Sequence, residues 1–494
     1  MLTASDGAAT AKERPLVRKV FSFPAMLAVL LVALAMLTIR SRFDDPDLWW
    51  HLKTGEIIWN THSIPRVDAF SFTAGGQPWV AQEWLSELAI YAMWKSGAYT
   101  GLMLGFSVLT TLLLILAYVL CSKYSANCKI GFGGALAFWL FSTIGLALRP
   151  HMIGYLLLVL ELLILHLSRS RRQWLFALVP LFSLWVNCHA SFFFGLIVLA
   201  IVLLCAFLPE IRWGLLVSTP WEPARRNTLA ICAALSVAAL FLNPIGPRLV
   251  TYPLDVFFRQ PVNLAAVAEW RPPAPDDLRF WALLLVAGAV LLLPLLRFTA
   301  LRMEEFLLVS IGFELAVSHQ RMLFVFGLLA APVLCRLAAD LWGGYEPDRD
   351  RMWLNASLMA VAAIVVVFAF PNTRELKKLV RKSSPVQAVE FLKRSGIPGN
   401  LLNEYVYGGY LIWAAPERKV FIDGRADIYE KAGVLSEYED WIRLRSDPKL
   451  FLAKYRIGVC LLSPSAPMTR VVSLLPGWKR VYSDNLAVLF VKSP

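Results

Sequence analysis

Three aspartates at positions 44, 45 and 47 form the stretch of this 494-residue sequence with the clearest chemical potential. Asp44, Asp45 and Asp47 flank Pro46, which cannot continue a helix, so the acids occupy a turn. Grouped carboxylates can deprotonate a hydroxyl group or bind a divalent cation through two of their side chains. Asp45 and Asp47 are then the expected metal ligands. The structural alternative is that Asp47 caps the next helix and Asp44 is solvated.

A second acidic pair follows in the same segment of the chain. Glu83 and Glu87 are one helical turn apart and share one helix face. Glu83 is therefore a fourth candidate catalytic acid, placed to meet the hydroxyl groups of a donor or an acceptor. A solvated helix face is the alternative for this pair.

Basic and imidazole groups stand at the ends of later apolar runs, where they can bind phosphate. Arginine offers paired donors that match phosphate oxygens. The predicted phosphate ligands are Arg149, His151, His319 and Arg321. His189 is expected to pair with an acid instead. The alternative for the cations is non-specific anchoring to lipid headgroups.

The elements that hold these groups in place are predicted to be membrane helices. The sequence is 58% hydrophobic and only 17% charged, which is too apolar for a soluble protein of this length. The net charge of +13 lies mostly in short loops between apolar runs, so nucleic acid is not an expected partner. Eleven predicted spans cover 21–39, 101–121, 130–148, 152–167, 174–187, 192–208, 228–242, 280–296, 306–317, 322–339 and 353–370.

The distribution of lysine and arginine predicts the orientation of these helices. If residues 1–20 form a cytoplasmic tail and each run crosses the membrane, nearly all basic loops fall on the cytoplasmic side. The outer side then receives the first outer loop, 41–100, a second loop at 243–279 and the tail from 372. Five of the six histidines also lie at the outer side, which we interpret as the chemical face.

The tail differs from the rest of the chain in composition. A helix is predicted at 385–395, and strands are predicted at 420–422, 459–462 and 486–491. The expected fold is mainly α: a helical membrane domain at 21–371 followed by a small extracytoplasmic α/β domain at 372–494. The seven cysteines are scattered without a CxxC pair, so they indicate neither a disulfide framework nor a zinc site.

The acidic turn after the first span resembles the GT-C superfamily of polytopic glycosyltransferases, which carries D-D or D-x-D acids at this position. In particular, the chain is similar to bacterial GT-C-like membrane proteins with four recurring motifs. The matching stretches are 45–52, Arg149-Pro150, 185–189 and Glu269-Trp270. The tail has recurrent stretches of its own at 403–410 and 421–427.

The resemblance implies inverting transfer of a sugar from a polyprenyl-phosphate donor to a glycan, lipid or protein acceptor at the outer face of the cytoplasmic membrane. It makes Asp45 the first candidate for base or metal ligand, with Asp44 and Asp47 in support. The outer arginine and histidine side chains are expected to bind the phosphate. Glu269 joins the expected substrate-binding residues through its motif. A divalent metal ion is the one cofactor considered, and which acid is the base stays open.

Two other functions fit parts of the sequence. Glu161 and Glu314 lie inside apolar runs, where an ionised acid is costly, and they suggest either neutral structural groups or the proton path of a transporter or lipid flippase. The expected internal repeat of a transporter is not evident in the sequence. The tyrosines and the Asp423-Gly424-Arg425 turn of the tail suggest instead a non-catalytic scaffold that displays a binding domain.

Overall fold

The computed structural model describes residues 16–297 and 299–493. Residues 1–15 of the predicted cytoplasmic tail therefore lie outside the described residues. The described part is mainly helical. The first helices are α1 (Leu16–Val20), α2 (Phe23–Ile39), α3 (Leu48–Thr61), α4 (Trp84–Ser125), α5 (Cys128–Ser142), α6 (His151–Ser168), α7 (Leu178–Cys188) and α8 (Phe192–Phe207). Then follow α9 (Pro223–Ala239), α10 (Pro247–Arg259), α11 (Pro261–Ala266), α12 (Leu278–Arg297), α13 (Met303–Ser318), α14 (Leu323–Leu337) and α15 (Met352–Ala369).

Each of the eleven apolar runs coincides with a helix, because a chain in lipid must satisfy its backbone hydrogen bonds within each span. The corresponding helices are α2, α4 to α9 and α12 to α15. Five helices in the described part are long and apolar enough to cross a membrane, namely 84–125, 151–168, 278–297, 320–337 and 352–369. The count of eleven crossings stays a prediction. The short run at 174–187 starts as a 3-10 turn (Arg172–Ala177) before α7.

Helix α4 is divided by a break in its backbone. Gly97 and Ala98 leave the helical conformation, with φ of 177° and 50° respectively. The part before the break carries Glu87 beside the first outer loop, whereas the part after it packs among the apolar helices α2, α5 and α6. The break therefore allows one helix to serve both the loop and the helical bundle.

The tail forms a small sheet surrounded by helices. Its helices are α16 (Thr373–Ser383), α17 (Val386–Ser395), α18 (Tyr405–Ala414), α19 (Ala426–Lys431), α20 (Val434–Ile442), α21 (Pro448–Lys454) and α22 (Pro467–Leu474). Its strands are β4 (Asn400–Asn403), β5 (Ile457–Leu462), β6 (Trp478–Ser483) and β7 (Val488–Lys492). They lie in the order β4, β5, β7, β6, with only β4 and β5 parallel. A separate sheet joins β1 (Ile211–Trp213), β2 (Leu216–Ser218) and β3 (Leu301–Arg302).

The strand predicted at 420–422 is wrong, although the helix at 385–395 and the other two strands are close to those observed. Val420 makes a single bridge, and its partner is Ser71 of the first outer loop rather than a strand of the tail. Phe72 N donates to Val420 O at 3.1 Å, and Val420 N donates to Phe70 O at 3.0 Å. The three apolar residues are buried against that loop, so burial rather than sheet pairing explains their composition.

The tail and the first outer loop share one hydrophobic core. Trp50, Ala74 and Trp79 of the loop belong to the same buried cluster as the sheet of the tail. Gly409 in α18 lies so close to the loop that a Cβ atom there would be 2.2 Å from Pro46 O. The boundary predicted at 372 therefore separates two segments of sequence whose side chains pack together.

Candidate active site

Arg149 is the centre of the first charged group of the site. It lies two residues before α6, which begins at His151 with Pro150 as its N-cap residue. Its guanidinium forms a very short ion pair with Asp45 and lies 3.2 Å from Asp47 and 3.4 Å from Glu269. Burial alone would lower the pKa of Arg149, but the three carboxylates outweigh it and hold the pKa above its usual value.

Asp47 does not cap α3, because its side chain makes no cap hydrogen bond. It accepts a hydrogen bond from Trp50 Nε1 at 3.2 Å in addition to its contact with Arg149. Burial raises the pKa of Asp47 above its usual value, and Arg149 only partly offsets this effect. Asp47 is thus a carboxylate whose proton affinity is increased by its surroundings.

Arg321 belongs to a second group, built where the second outer loop meets the start of α14. Glu269 lies 3.6 Å from Arg321, whose guanidinium stands over the ring of Trp270 at 5.4 Å. His319 Nδ1 is 2.6 Å from Trp270 O. Because a carbonyl oxygen only accepts, Nδ1 of His319 carries the proton. Glu269 therefore links Arg321 to Arg149.

A third group contains two acids and two histidines. His51 Nδ1 lies 3.0 Å from Glu87 and 3.6 Å from Glu83, and His189 Nε2 lies 3.1 Å from Glu83. Ser191 N donates to His189 Nδ1 at 3.0 Å, so the proton of His189 is on Nε2 and is donated to Glu83. The expected pairing of His189 with an acid is what the structure contains.

The same contacts set the charge of this third group. Burial alone would raise the pKa of Glu83, but the hydrogen bond from His189 and the charge of His51 outweigh it and lower the pKa. Burial alone would lower the pKa of His51, but the hydrogen bond to Glu87 and the charge of Glu83 outweigh it and raise the pKa. Glu83 is therefore a stable carboxylate beside a histidine that is easily protonated.

His51, Glu83 and Glu87 also have the geometry of a cation site. One ligand atom from each lies within 4.8 Å of the others. The second oxygen of Glu87, Oε2, is buried without a hydrogen-bond partner among the described residues. An imidazole nitrogen with carboxylate oxygens suits Zn²⁺ or Mn²⁺. The residues present fit a divalent cation here, whereas Asp45 and Asp47, the ligands expected from the sequence, face Arg149.

These groups surround a cavity of about 450 Å³. Part of the lining is apolar and includes Phe193, Phe194 and Ile197 of α8 together with Phe257 and Phe258 of α10. The rest is largely polar. Its carboxyl groups outnumber its arginines, with Asp47, Glu83, Glu87, Glu269 and Asp427 against Arg149, Arg321 and Arg425. The cavity therefore combines apolar side chains with acidic, hydrogen-bonding ones.

Most of the residues predicted from the sequence line this cavity. They are Asp47, Glu83, Arg149, His151, His189, Glu269, His319 and Arg321. Asp45 is buried in its ion pair with Arg149 and is not among the lining residues. Asp44 is exposed and also lies apart from the cavity lining. His151 Nε2 donates to Gly145 O at 2.6 Å.

Sequence reasoning did not predict that residues of other segments line the cavity, although it had marked Tyr405 and Arg425 as recognition residues of the tail. Tyr405, Arg425 and Asp427 come from the tail, and Tyr252 comes from α10. The Asp-Gly-Arg turn of the tail is a signal that indicated recognition, but nothing in the sequence placed it beside the first outer loop. Tyr252 lies on a helix with no motif that marks it.

Three solved structures are similar to this chain. The apo oligosaccharyltransferase of Archaeoglobus fulgidus matches with a TM-score of 0.50 and 12% identity, over 88% of this chain and 69% of that one. The oligosaccharyltransferase AglB of A. fulgidus, in complex with an inhibitory peptide and a dolichol-phosphate, matches with 0.52 and 12%, over 89% and 69%. ArnT from Cupriavidus metallidurans, bound to undecaprenyl phosphate, matches with 0.50 and 14%, over 94% and 96%.

No protein-family model matches the sequence, and no curated protein matches it. Two of these structures contain a lipid phosphate, dolichol-phosphate in one and undecaprenyl phosphate in the other. At 12 to 14% identity the likeness is one of fold. The chain shares its fold with these proteins, in agreement with the resemblance stated from the acidic turn.

Proposed function

We propose that this protein transfers a sugar from a polyprenyl-phosphate donor to an acceptor at the outer face of the cytoplasmic membrane. The observation that carries the proposal is the cavity, whose apolar lining residues suit a polyprenyl chain and whose polar lining residues suit a phosphate and a sugar. The fold supports it, since one neighbour is bound to a dolichol-phosphate and another to undecaprenyl phosphate.

Arg321 is the phosphate ligand that the contacts favour; His319 would join it only in its doubly protonated form, since Nδ1 already donates to Trp270 O. Arg321 has one carboxylate partner, Glu269, at 3.6 Å, and this separation leaves its other donors available. Arg149 already faces three carboxylates. In this proposal Arg149 fixes the positions of Asp47 and Glu269. Asp45, which does not line the cavity, is the positioning residue that holds the guanidinium of Arg149.

Asp47 is the acid that we assign as the base. It lines the cavity, and a carboxyl whose pKa is raised accepts a proton near neutral pH more readily than an ordinary aspartate. The acceptor hydroxyl oxygen would form a bond to the anomeric carbon as the bond from that carbon to the phosphate oxygen breaks. The hydroxyl proton passes to Asp47, and the polyprenyl phosphate leaves with the electron pair, which inverts the anomeric centre.

The excess of carboxylates among the polar lining residues favours a divalent cation as cofactor, because a phosphate would otherwise meet net negative charge. His51, Glu83 and Glu87 would hold it. A bound cation would supply positive charge to the departing phosphate. Glu83 and Glu87 then serve as ligands, whereas Asp47 stays outside the cation site and can act as base.

The test is glycosyl transfer by purified protein from a panel of undecaprenyl-phosphate hexoses. We expect turnover by the wild type, a loss of at least about a hundredfold in Asp47→Asn, and normal turnover in Asp440→Asn, an exposed acid of α20 that does not line the cavity. Chelation with EDTA should remove activity and Mn²⁺ should restore it. Full activity of Asp47→Asn would contradict the assignment of the base.

A further inference from the structure

Arg425 carries a hydrogen-bond donor that no described residue satisfies. Its side chain comes from the tail, lines the cavity and is 3% exposed. Nε and Nη2 bind Asp423 at 2.7 Å each, and Nη2 also lies 2.8 Å from Asp68 of the first outer loop. Nη1 is buried without a partner. An unsatisfied buried donor is costly, so an acceptor supplied by a ligand would stabilise this arrangement.

The guanidinium is held rigidly in this position. Its Cζ atom lies 4.7 Å and 4.8 Å from the ring centres of Phe70 and Trp79, two rings that meet edge to face with their centres 5.9 Å apart. Asp423 is itself fixed, because Tyr429 OH donates to it at 2.5 Å. Two of its three nitrogens are therefore tied to Asp423 and Asp68, and the ring contacts add to this constraint. Since Arg425 lines the cavity, Nη1 is the donor that remains for a ligand there.

The charges around Arg425 indicate that its ligand is neutral. Asp423 and Asp68 are both fully buried and together outweigh the single positive charge. Asp427, two residues further on, also lines the cavity and adds a carboxyl. An anionic group would be repelled by these acids. A hydroxyl group, in contrast, can accept a hydrogen bond from Nη1 and donate one to Asp427.

Aromatic rings complete the surroundings of this turn. Trp50 and Tyr405 line the same cavity, and Tyr405 OH is fixed by donation to Gly424 O at 3.0 Å. Rings of this kind pack against the apolar C–H faces of a pyranose, while arginine and aspartate pair with its hydroxyls. The combination of a donor, an acceptor and aromatic faces is suited to a neutral sugar.

We propose that Arg425, Asp427, Trp50 and Tyr405 form a subsite that binds a neutral, hydroxyl-bearing sugar ring inside the membrane cavity. This inference rests on the proposed transferase function and names the part of the site that the tail supplies. The ring belongs either to the lipid-linked donor or to a sugar-bearing acceptor. In both cases the tail would be part of the binding site rather than a separate recognition module.

The test compares two lipids in nanodiscs: undecaprenyl phosphate, which has no sugar, and undecaprenyl phosphoglucose. Asp427→Ala is the principal variant, Arg425→Lys is the second, and Asp440→Ala is the matched control in the same segment. If the ring is that of the donor, Asp427→Ala binds the glycolipid about tenfold more weakly and undecaprenyl phosphate as well as the wild type. If the ring is that of the acceptor, binding of both lipids is unchanged and the KM for a sugar acceptor rises about tenfold.

Other results would overturn the subsite. Equal weakening of both lipids by Asp427→Ala would show that the residue acts on the phosphate or the fold rather than on a sugar. Unchanged binding together with an unchanged KM would remove the role of Asp427 altogether. Failure of the proposed function is a separate result, since wild-type protein would then release no undecaprenyl phosphate from the glycolipid in the presence of acceptors, whatever Asp427→Ala does to binding.

Discussion

Arg149 holds three carboxylates that would otherwise repel one another at the edge of the cavity. Asp45, Asp47 and Glu269 all lie within ion-pair distance of its guanidinium. The planar fork of arginine can face several carboxylates at once, which a lysine ammonium cannot do with the same geometry. The position of Asp47, the base in our proposal, therefore depends on the arginine and not only on a positive charge.

Replacement of Arg149 by lysine tests this dependence. We expect Arg149→Lys to lose about 2 kcal/mol of stability, since charge-assisted hydrogen bonds to buried acids are lost, and to reduce kcat tenfold or more. Thermal unfolding and transfer rates measure the two effects. Arg480→Lys, at an exposed arginine of β6, serves as control. Wild-type kcat in Arg149→Lys would show that the position of Asp47 does not depend on the planar guanidinium group.

Asp427 gives a prediction about pH. Burial raises the pKa of Asp427 to about 6, and the charges of Lys431 and Arg425 and the hydrogen bond from Tyr252 only partly offset it. Because this pKa is raised in the folded protein, the contribution of Asp427 to stability is full below its unfolded pKa and is lost as the pH rises through about 6. Ionisation in the same range makes the carboxylate a better acceptor for a sugar hydroxyl.

Binding of the sugar ligand should therefore strengthen between pH 5 and pH 7, with a midpoint near the pKa of about 6 given by the burial of Asp427. Titration of wild type and Asp427→Asn at several pH values measures this. The variant should lack the midpoint, because its amide does not titrate. A midpoint that persists unchanged in Asp427→Asn would assign the titration to another group.

At the scale of elements, the turn after Phe421 determines how the tail meets α3. Gly424 lies so close to the start of α3 that a Cβ atom there would be 1.8 Å from Asp47 Oδ1 and 2.9 Å from Trp50 Nε1. Only glycine allows the backbone of the tail to approach the acid this closely. The tail thereby forms one wall around Asp47.

Gly424→Ala should displace either Asp47 or the turn. We expect a loss of about 1–3 kcal/mol of stability from overpacking and a fall in kcat of at least about tenfold. Gly344→Ala is the matched control, because nothing lies within 4 Å of a Cβ atom at that position. A folded Gly424→Ala protein with normal kcat would mean that the contact with Asp47 does not matter for the reaction.

The elements divide into those that the sequence predicts and those that depend on distant contacts. The eleven apolar runs predicted helices because length and hydrophobicity are local properties, and each one is a helix. The strand at 420–422 failed because its apolar residues are buried by the first outer loop, hundreds of positions earlier in the sequence. The place of Arg425 and Tyr252 in the cavity depends on contacts of the same kind, so the sequence does not predict it. Arg149 and Glu83, in contrast, were identifiable as candidate site residues from motif and spacing.

For the whole molecule, the orientation in the membrane is a prediction that labelling can test. The basic loops predict that the tail is outside the cell membrane and that the loop after α6 is cytoplasmic. Ser395 and Ser170 are exposed positions in these two regions. The native cysteines are poor labelling targets, since six are buried and Cys128 is half-buried.

A membrane-impermeant maleimide added at the outer face should label Ser395→Cys directly. It should label Ser170→Cys only after the membrane is permeabilised. Protein without an added cysteine gives the background. Labelling of Ser170→Cys before permeabilisation, with Ser395→Cys protected, would reverse the orientation and place the cavity on the wrong side for the proposed reaction.

The most direct measurement follows the lipid donor itself in proteoliposomes that contain the protein, undecaprenyl phosphoglucose and a candidate acceptor. A cavity that holds the polyprenyl chain on its apolar side chains and the phosphate and sugar at its polar ones predicts cleavage of the donor, with one undecaprenyl phosphate released for each sugar transferred. Donor that crosses the bilayer intact, without release of undecaprenyl phosphate, would contradict the transferase and indicate a flippase.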